Sequence, residues 1–333
     1  MARKKGARAD DVLGIAIVGC GQVARAHATA IEQLREAELV ACCDVDEARA
    51  VKFAEATGTA NSSTDIQDIL ARDAVDAVAL CLPHHLHCKA TLAAAKAGKH
   101  ILCEKPMAVS LAEADRMIQA ARRAKVVLMV GQVLRFRKSY RTAREILRSG
   151  RIGEPRHIIR RRTGLVKEPQ RSWAADPKQA GGWLLYGYGS HELDAILWLS
   201  DTTAETVYAQ ARVLNPAWND YDEIAIQMTL ADGSMATMSH SLNANRSWWD
   251  EVIIATKGSL YMNTREIVLD DETIPITETP TWGMVDQYRE FVSAIREGRE
   301  PVASGADVRR TMVALEAARL SIESGKPVDA SAL

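Results

Sequence analysis

The chain has 333 residues, 47% of them hydrophobic and 26% charged, with a formal net charge of -1. Such a length points to about two domains, each able to bury a core, and the composition is that of a globular protein rather than a disordered or fibrous one. A charge this close to zero argues against nucleic acid as the main partner, and no apolar run reaches the roughly 18 residues of a membrane span.

Residues 1–11 carry Arg3, Lys4, Lys5 and Arg8 without a signal-peptide apolar stretch behind them, and read as a disordered tail on a cytoplasmic protein. Gly14-Ile15-Ala16-Ile17-Val18 then forms an unbroken apolar run, the pattern of a parallel strand buried on both faces. It leads into Gly19-Cys20-Gly21-Gln22-Val23-Ala24, a G-x-G-x-x-A loop, and a helix extending to about Ala37. Glycines in such a loop allow a tight turn and the close approach of a pyrophosphate, which the free N–H groups of the helix start hold. Gly19, Gly21, Gln22 and Val23 are therefore cofactor candidates. A second strand, 39–43, ends at Asp44, twenty residues beyond Ala24. A carboxylate there accepts from a ribose 2′-OH and repels a 2′-phosphate, so NAD is favoured over NADP.

The alternation continues. Thr64 and Gln67 read as a capping box, 77–82 as a strand, and Pro83-His84-His85-Leu86-His87 as the opening of a helix to Ala97, closed by Gly98. The next strand, 101–103, stops at Glu104-Lys105-Pro106. Ligands of open α/β sheets lie outside the carboxyl ends of the strands, so Gly19, Asp44, Pro83 and Glu104 line one edge and Lys105 is the first catalytic candidate. Pro106 biases Lys105 toward an extended conformation. His87, just past a strand end, reads as a positioning residue beside the nicotinamide. Ser110 and Glu113 cap a helix over 111–124, and a strand at 126–130 completes an NAD-binding Rossmann domain spanning 12–133. All six cysteines lie in the first third of the chain and read as reduced, packed residues. No metal is expected, because the His84, His85, His87 and Cys88 group has no second ligand cluster at a zinc-like spacing.

Residues 134–333 have a different texture. A basic helix over 138–148 precedes strands at 156–163, 204–213, 223–230, 234–242, 251–256 and 265–269, and helices over 284–296 and 306–323 follow. Asp232-Gly233 between two alternating strands is a hairpin signal, so this α+β domain has an open, mainly antiparallel sheet. Thr237, Ser239 and Ser241 mark a polar face available to a partner subunit. Within the domain, His191 begins a helix whose apolar face runs through Leu193, Ile196, Leu197 and Trp198. The helix dipole disfavours a cation there and keeps the imidazole neutral, as a proton acceptor requires. Asp194, one turn on, faces structure. Arg160, Arg161 and Arg162 suit an acidic substrate, although strand alternation turns at least one away.

Taken together, G-C-G-Q-V-A with Asp44, P-H-H-L-H at 83–87, A-G-K-H-I-L-C-E-K-P at 97–106, V-G-x-x-x-R-F at 130–136, R-I-G at 151–153 and G-x-H-x-x-D at 189–194 resemble the glucose-fructose oxidoreductase, inositol dehydrogenase and MocA-like family. The resemblance implies a NAD(P)-dependent oxidoreductase that moves hydride to or from a sugar, cyclitol or related alcohol, with Lys105 and His191 beside the reacting carbon. It implies a homodimer or homotetramer built on the open sheet. Arg135, Tyr188 and Trp248 become substrate candidates, and Trp173 a cofactor contact. Two departures stand out: Gly187 occupies the position of a common aspartate, and Trp173 is followed by Ala174 where arginine is frequent. The proton relay must then lean on Lys105 and His191, with Tyr186 or Tyr188 as possible help. Two alternatives share the cofactor: a hidden redox cycle that returns the hydride after epimerisation or elimination, and a non-catalytic NAD-binding regulator.

Overall fold

Strands whose residues are apolar on both sides need cover on both sides, and the first half of the chain supplies it with helices. The computed structural model describes residues 12–169 and 172–333; the tail expected at 1–11 lies outside them. The strands are β1 (Leu13–Val18), β2 (Ala37–Cys43), β3 (Ser62–Ser63), β4 (Ala77–Leu80), β5 (His100–Cys103) and β6 (Leu128–Val130). They form one parallel sheet in the order β3-β2-β1-β4-β5-β6. Between them run α1 (Gln22–Glu32), α2 (Glu47–Thr57), α3 (Ile66–Leu70), α4 (His87–Lys96) and α5 (Leu111–Ala124). This is the Rossmann order, with its switch point between β1 and β4.

Local chemistry explains where the helices begin and end. Asp46 caps α2 by accepting from the Arg49 amide, and Ser110 caps α5 by accepting from that of Glu113. The Thr64–Gln67 box does not form: Asp65 is the cap instead, accepting from the Gln67 amide at 2.9 Å. Helix α1 stops at Glu32, short of Ala37, because the chain has already turned to pair with β1, the Leu13 amide donating to the Glu36 carbonyl at 2.9 Å. Strand β4 ends at Leu80, and the helix expected from Pro83 starts as a single 3-10 turn, His84–Leu86, before α4.

The second region opens with α6 (Lys138–Arg148), β7 (Pro155–Leu165) and a short α7 (Pro177–Ala180). A π-helical turn, Trp183–Tyr188, runs directly into α8 (Gly189–Ser200). The remaining strands are β8 (Ala204–Arg212), β9 (Glu223–Leu230), β10 (Met235–Ser241), β11 (Asn243–Ala255), β12 (Ser259–Met262), β13 (Glu266–Leu269) and β14 (Glu272–Pro275). Helices α9 (Met284–Glu297) and α10 (Gly305–Ser324) and strand β15 (Val328–Asp329) close the chain.

Nine strands join in the order β14-β13-β12-β11-β7-β10-β9-β8-β15, antiparallel except for β7 beside β10. The Asp232-Gly233 turn joins β9 to β10, with Gly233 at φ +83°. Ile224, Ile226, Met228 and Leu230 are buried on one face, while Ala225, Gln227 and Thr229 are exposed on the other. Strand β11 starts at Asn243 rather than 251, because a register irregularity between Asn243 and Trp248 breaks the alternation that marks a strand in sequence. The short strands β12 and β14 escaped the pattern.

The last helices return to the first sheet. The Val130 amide donates to the Ala303 carbonyl at 2.8 Å, and Arg309 of α10 pairs with Asp115 of α5.

Candidate active site

A cleft of about 940 Å³ opens at the carboxyl ends of the parallel strands. Gly19, Gly21, Gln22, Val23, Asp44, Pro83, Glu104, Lys105 and Trp173 line it, as does Tyr188 from the second region. Gly19 sits at φ +93°, and a Cβ there would lie 2.3 Å from the Cys81 carbonyl oxygen; the turn tolerates no side chain. A Cβ on Gly21 would meet nothing within 4 Å, so this position faces open cleft. Helix α1 has no capping side chain and no acid in its first turn. The N–H groups of its first turn therefore fit a cofactor diphosphate. The Asp44 carboxylate at the end of β2 accepts from the Cys20 amide at 2.9 Å and from Arg49 at 3.1 and 3.3 Å.

His87 is the one expected cofactor residue that does not line the cleft. It is fully buried, with Nδ1 2.7 Å from the Pro106 carbonyl and Nε2 3.0 Å from that of Leu82. It thereby ties the end of β4 to the Glu104-Lys105-Pro106 turn, whose Lys105–Pro106 peptide is cis. Burial lowers its pKa. The neighbouring histidines also brace backbone: His84 and His85 approach the carbonyls of Ala180 and Gln179 at 2.8 and 3.3 Å.

Behind the turn, Glu104 is held by His27 of α1, whose Nε2 lies 3.0 Å from Glu104 Oε1 while its Nδ1 lies 2.8 Å from the Tyr288 hydroxyl. Burial raises the Glu104 carboxyl, but the His27 hydrogen bond and the nearby His27 and Lys105 charges outweigh it, and the net shift is downward. Burial likewise works against charge on His27, yet its surroundings of Cys81, Tyr288 and Glu104 win and raise it. The pair fixes the residue preceding Lys105.

Lys105 Nζ donates to the Gly187 carbonyl at 2.8 Å. His191 follows four residues later, half-buried in the first turn of α8 and outside the cleft's lining. Its Nδ1 lies 3.0 Å from Gln132 Oε1, and Gln132 is itself pinned by donating Nε2 to the Ser190 carbonyl at 3.2 Å. That arrangement assigns the ring proton to Nδ1 and leaves Nε2 as an acceptor. Burial, then the charges of Lys105, Arg162, Arg137 and Arg160, push the His191 pKa well below its ordinary value, so the ring is neutral. Sequence reasoning missed Gln132, which carries no catalytic signature of its own.

Gly187 is closely packed: a Cβ there would lie 3.1 Å from the Trp183 ring and 3.4 Å from that of His84. The rings of His84 and Trp183 stack at 5.7 Å, and Trp173 meets both edge-on. Aromatic rings thus fill the space beside Gly187. Tyr188 continues the cluster, packed against Trp183 and His240. Tyr186 turns away, its hydroxyl donating to Glu316 of α10 at 3.1 Å.

Two substrate candidates are elsewhere. Arg135 is 1% exposed and forked onto Asp194 at 2.7 and 2.8 Å, with Asp307 on its other side. It joins the 3-10 turn after β6, Val133–Phe136, to α8 and α10 as a buried ion pair, and Asp194 does face structure. Trp248 is exposed on β11, stacked on Arg161 and Arg246, and does not line the cleft. The three arginines of β7 divide as alternation requires. Arg161 points outward to Asp250, Arg160 is buried between Glu192, Glu251 and the Tyr140 hydroxyl, and Arg162 bonds Glu192 at 3.0 Å while lying over the Tyr188 ring.

Comparison with known proteins agrees with this architecture. The chain is 26% identical to the myo-inositol 2-dehydrogenase of Thermotoga maritima over 94% of its own length and 97% of the relative's. A solved structure of a putative myo-inositol dehydrogenase from Sinorhizobium meliloti 1021 superposes with a TM-score of 0.84 at 25% identity, covering 96% of this chain and 99% of that one. Levoglucosan dehydrogenase, solved with NADH and L-sorbose, shares the fold with a TM-score of 0.89 at 21% identity over 96% and 99% of the two chains. Residues 13–132 match the family described as "Oxidoreductase family, NAD-binding Rossmann fold", and residues 140–261 match the "GFO/IDH/MocA C-terminal domain". With both halves of the cleft accounted for in this way, the chain belongs to the Gfo/Idh/MocA family of NAD-binding dehydrogenases and reductases.

Proposed function

We propose that the protein interconverts a secondary alcohol and a ketone on a sugar-like or cyclitol-like substrate, with residues 12–133 holding NAD and residues 134–333 holding the substrate. The carrying observation is that Lys105 is tied to the carbonyl of Gly187, four residues before His191, which Gln132 fixes as an Nε2 acceptor. The names of two similar proteins, with inositol and levoglucosan in them, support the substrate class.

The bound cofactor supplies the two-electron acceptor. His191 Nε2 takes the hydroxyl proton of the substrate, and the Lys105 ammonium donates to the same oxygen and stabilises its developing charge. The backbone at Gly19 and Gly21 and the α1 start carry the diphosphate. Asp44 takes the adenosine ribose hydroxyl and favours NAD over NADP, with Arg49 shared across it. Outward residues of the nine-stranded sheet, such as Thr237 and Ser239, supply the pairing face of a homo-oligomer.

The test is a 340 nm screen of the protein with NAD against sugars, inositols and glycosides, with chromatography of each mixture. Rising absorbance with one class supports the reading; product without absorbance change supports a second one. In that reading hydride returns to the product within one cycle, and Gly187, which is packed against rings and brings no carboxylate of its own to pass the proton onward, is the observation that favours it. Flat traces and no product with any member would overturn both.

A further inference from the structure

Beyond Tyr188 and His191, three guanidinium groups crowd one indole. Arg137, Arg160 and Arg162 lie 4.3, 6.0 and 5.2 Å from the centroid of Trp249 on β11. Trp249 stands opposite Arg162 in the β7/β11 register, and Arg162 also covers Tyr188 at 4.8 Å. Several polar atoms gathered here are buried without a hydrogen-bond partner among the described residues: Arg137 Nε and Nη1, Arg160 Nη2 and Trp249 Nε1. A buried donor left unpaired is costly, and four meeting around one ring point to something that pairs them.

The charges narrow its nature. Arg160 and Arg162 are answered by Glu192 and Glu251. Among the described residues Arg137 makes no ion pair: it is sandwiched between Trp249 and Trp282, at 4.3 and 4.8 Å, and Glu278, whose charge acts on it from nearby, hydrogen-bonds the Lys138 and Ser139 amides that open α6. Of the three cations, Arg137 alone has no carboxylate paired with it at ion-pair distance among the described residues. A guanidinium with donors left unpartnered on both of its edges suits the anionic oxygens of a carboxylate. Burial lowers the Arg137 pKa to about 10, which still leaves it charged at neutral pH.

We infer that the substrate carries a carboxylate, which Arg137 binds over the Trp249 indole with Arg162 beside it, next to His191. This rests on the dehydrogenase reading of the cleft and narrows its substrate to acidic sugars or polyols.

The experiment titrates the NADH-loaded protein with D-glucuronate, D-galacturonate and D-gluconate and with their neutral counterparts D-glucose, D-galactose and D-glucitol. At least one acid is expected to bind about tenfold to hundredfold more tightly than its counterpart, the range that a charge-assisted hydrogen bond controls. Arg137→Gln is expected to erase that preference and Arg137→Lys to keep part of it, with NADH fluorescence confirming in each that the cofactor domain is intact. If every acid binds no better than its neutral counterpart, or the preference survives Arg137→Gln, the inference is overturned. Failure of NADH itself to bind would strike the dehydrogenase reading, while the acid preference is still read on the cofactor-free protein.

Discussion

The two walls of the site are made differently. The cofactor wall is a row of strand ends from one continuous third of the chain, and its key feature at Gly19 and Gly21 is the absence of side chains. The side proposed for the substrate draws on Gln132, Arg137, Arg162, His191 and Trp249, which stand outside the cleft's lining, come from a loop, the lead into α6, two strands and α8, and would act through their side chains. One wall specifies by shape and backbone dipoles, the other by charge and tautomer. Changes on one side should leave the other's ligand nearly undisturbed.

The sharpest separation is expected at Lys105, where the walls meet. Lys105→Met should lower turnover by about 10²- to 10⁴-fold while NADH fluorescence titration shows nearly unchanged affinity; normal turnover would remove Lys105 from the reacting oxygen. On the substrate wall, Glu192→Gln should cost about 3–5 kcal/mol in urea unfolding, because it strips a partner from buried Arg160. Burial alone would raise Glu192, but Arg160 and Arg162 bring it down to about 2. Its folded value lies below its unfolded one, so the stability it contributes is present above the ordinary carboxyl range and lost as pH falls through that range toward 2. Unfolding series at descending pH should show that loss in the parent and a shallower one in the variant.

On the cofactor wall, Gly19→Ala places a Cβ against the Cys81 carbonyl in a left-handed backbone, and should weaken NADH binding by at least about tenfold. Unaltered NADH affinity would mean that the loop relaxes without consequence. Gln132→Leu should slow turnover by about tenfold without affecting NADH, since it frees the His191 tautomer. The parent's kcat/KM for alcohol oxidation should be level through neutral pH and fall only as pH drops through the depressed His191 pKa, below the ordinary value of 6.5. An inflection at 7 or higher would break that assignment. Trp248→Ala, on the exposed outer strand, should change kcat/KM less than about twofold and stability by no more than about 0.5 kcal/mol.

This asymmetry also decides what could be read in the sequence. Gly19, Asp44, Pro83 and Glu104 announce themselves because each ends an apolar run, and position along such a run already fixes the edge on which a residue stands. The Arg160 to Arg162 triplet could be divided by alternation, though not assigned, since which member faces inward depends on how β7 registers with β11. Gln132 and Arg137 gave no signal: their roles exist only where α8 and β11 meet them. Arg135 stood out by motif, yet its partners Asp194 and Asp307 are far along the chain, so its burial was invisible. The Asn243–Ala255 strand was cut short by the irregularity that brings Trp249 over the arginines.

The return of the last helices to the first sheet has a consequence for modularity. Tyr288 supports His27, Ala303 covers the edge of β6, and Arg309 clasps α5. The unit that could be exchanged with another NAD-binding domain is therefore discontinuous: residues 12–133 together with α9 and α10. A graft that stops at 133 would strip His27, which holds Glu104 beside Lys105, of its hydroxyl partner. Recombination between relatives should preserve both segments from the same parent, and a crossover placed between them should fail even where each half is sound.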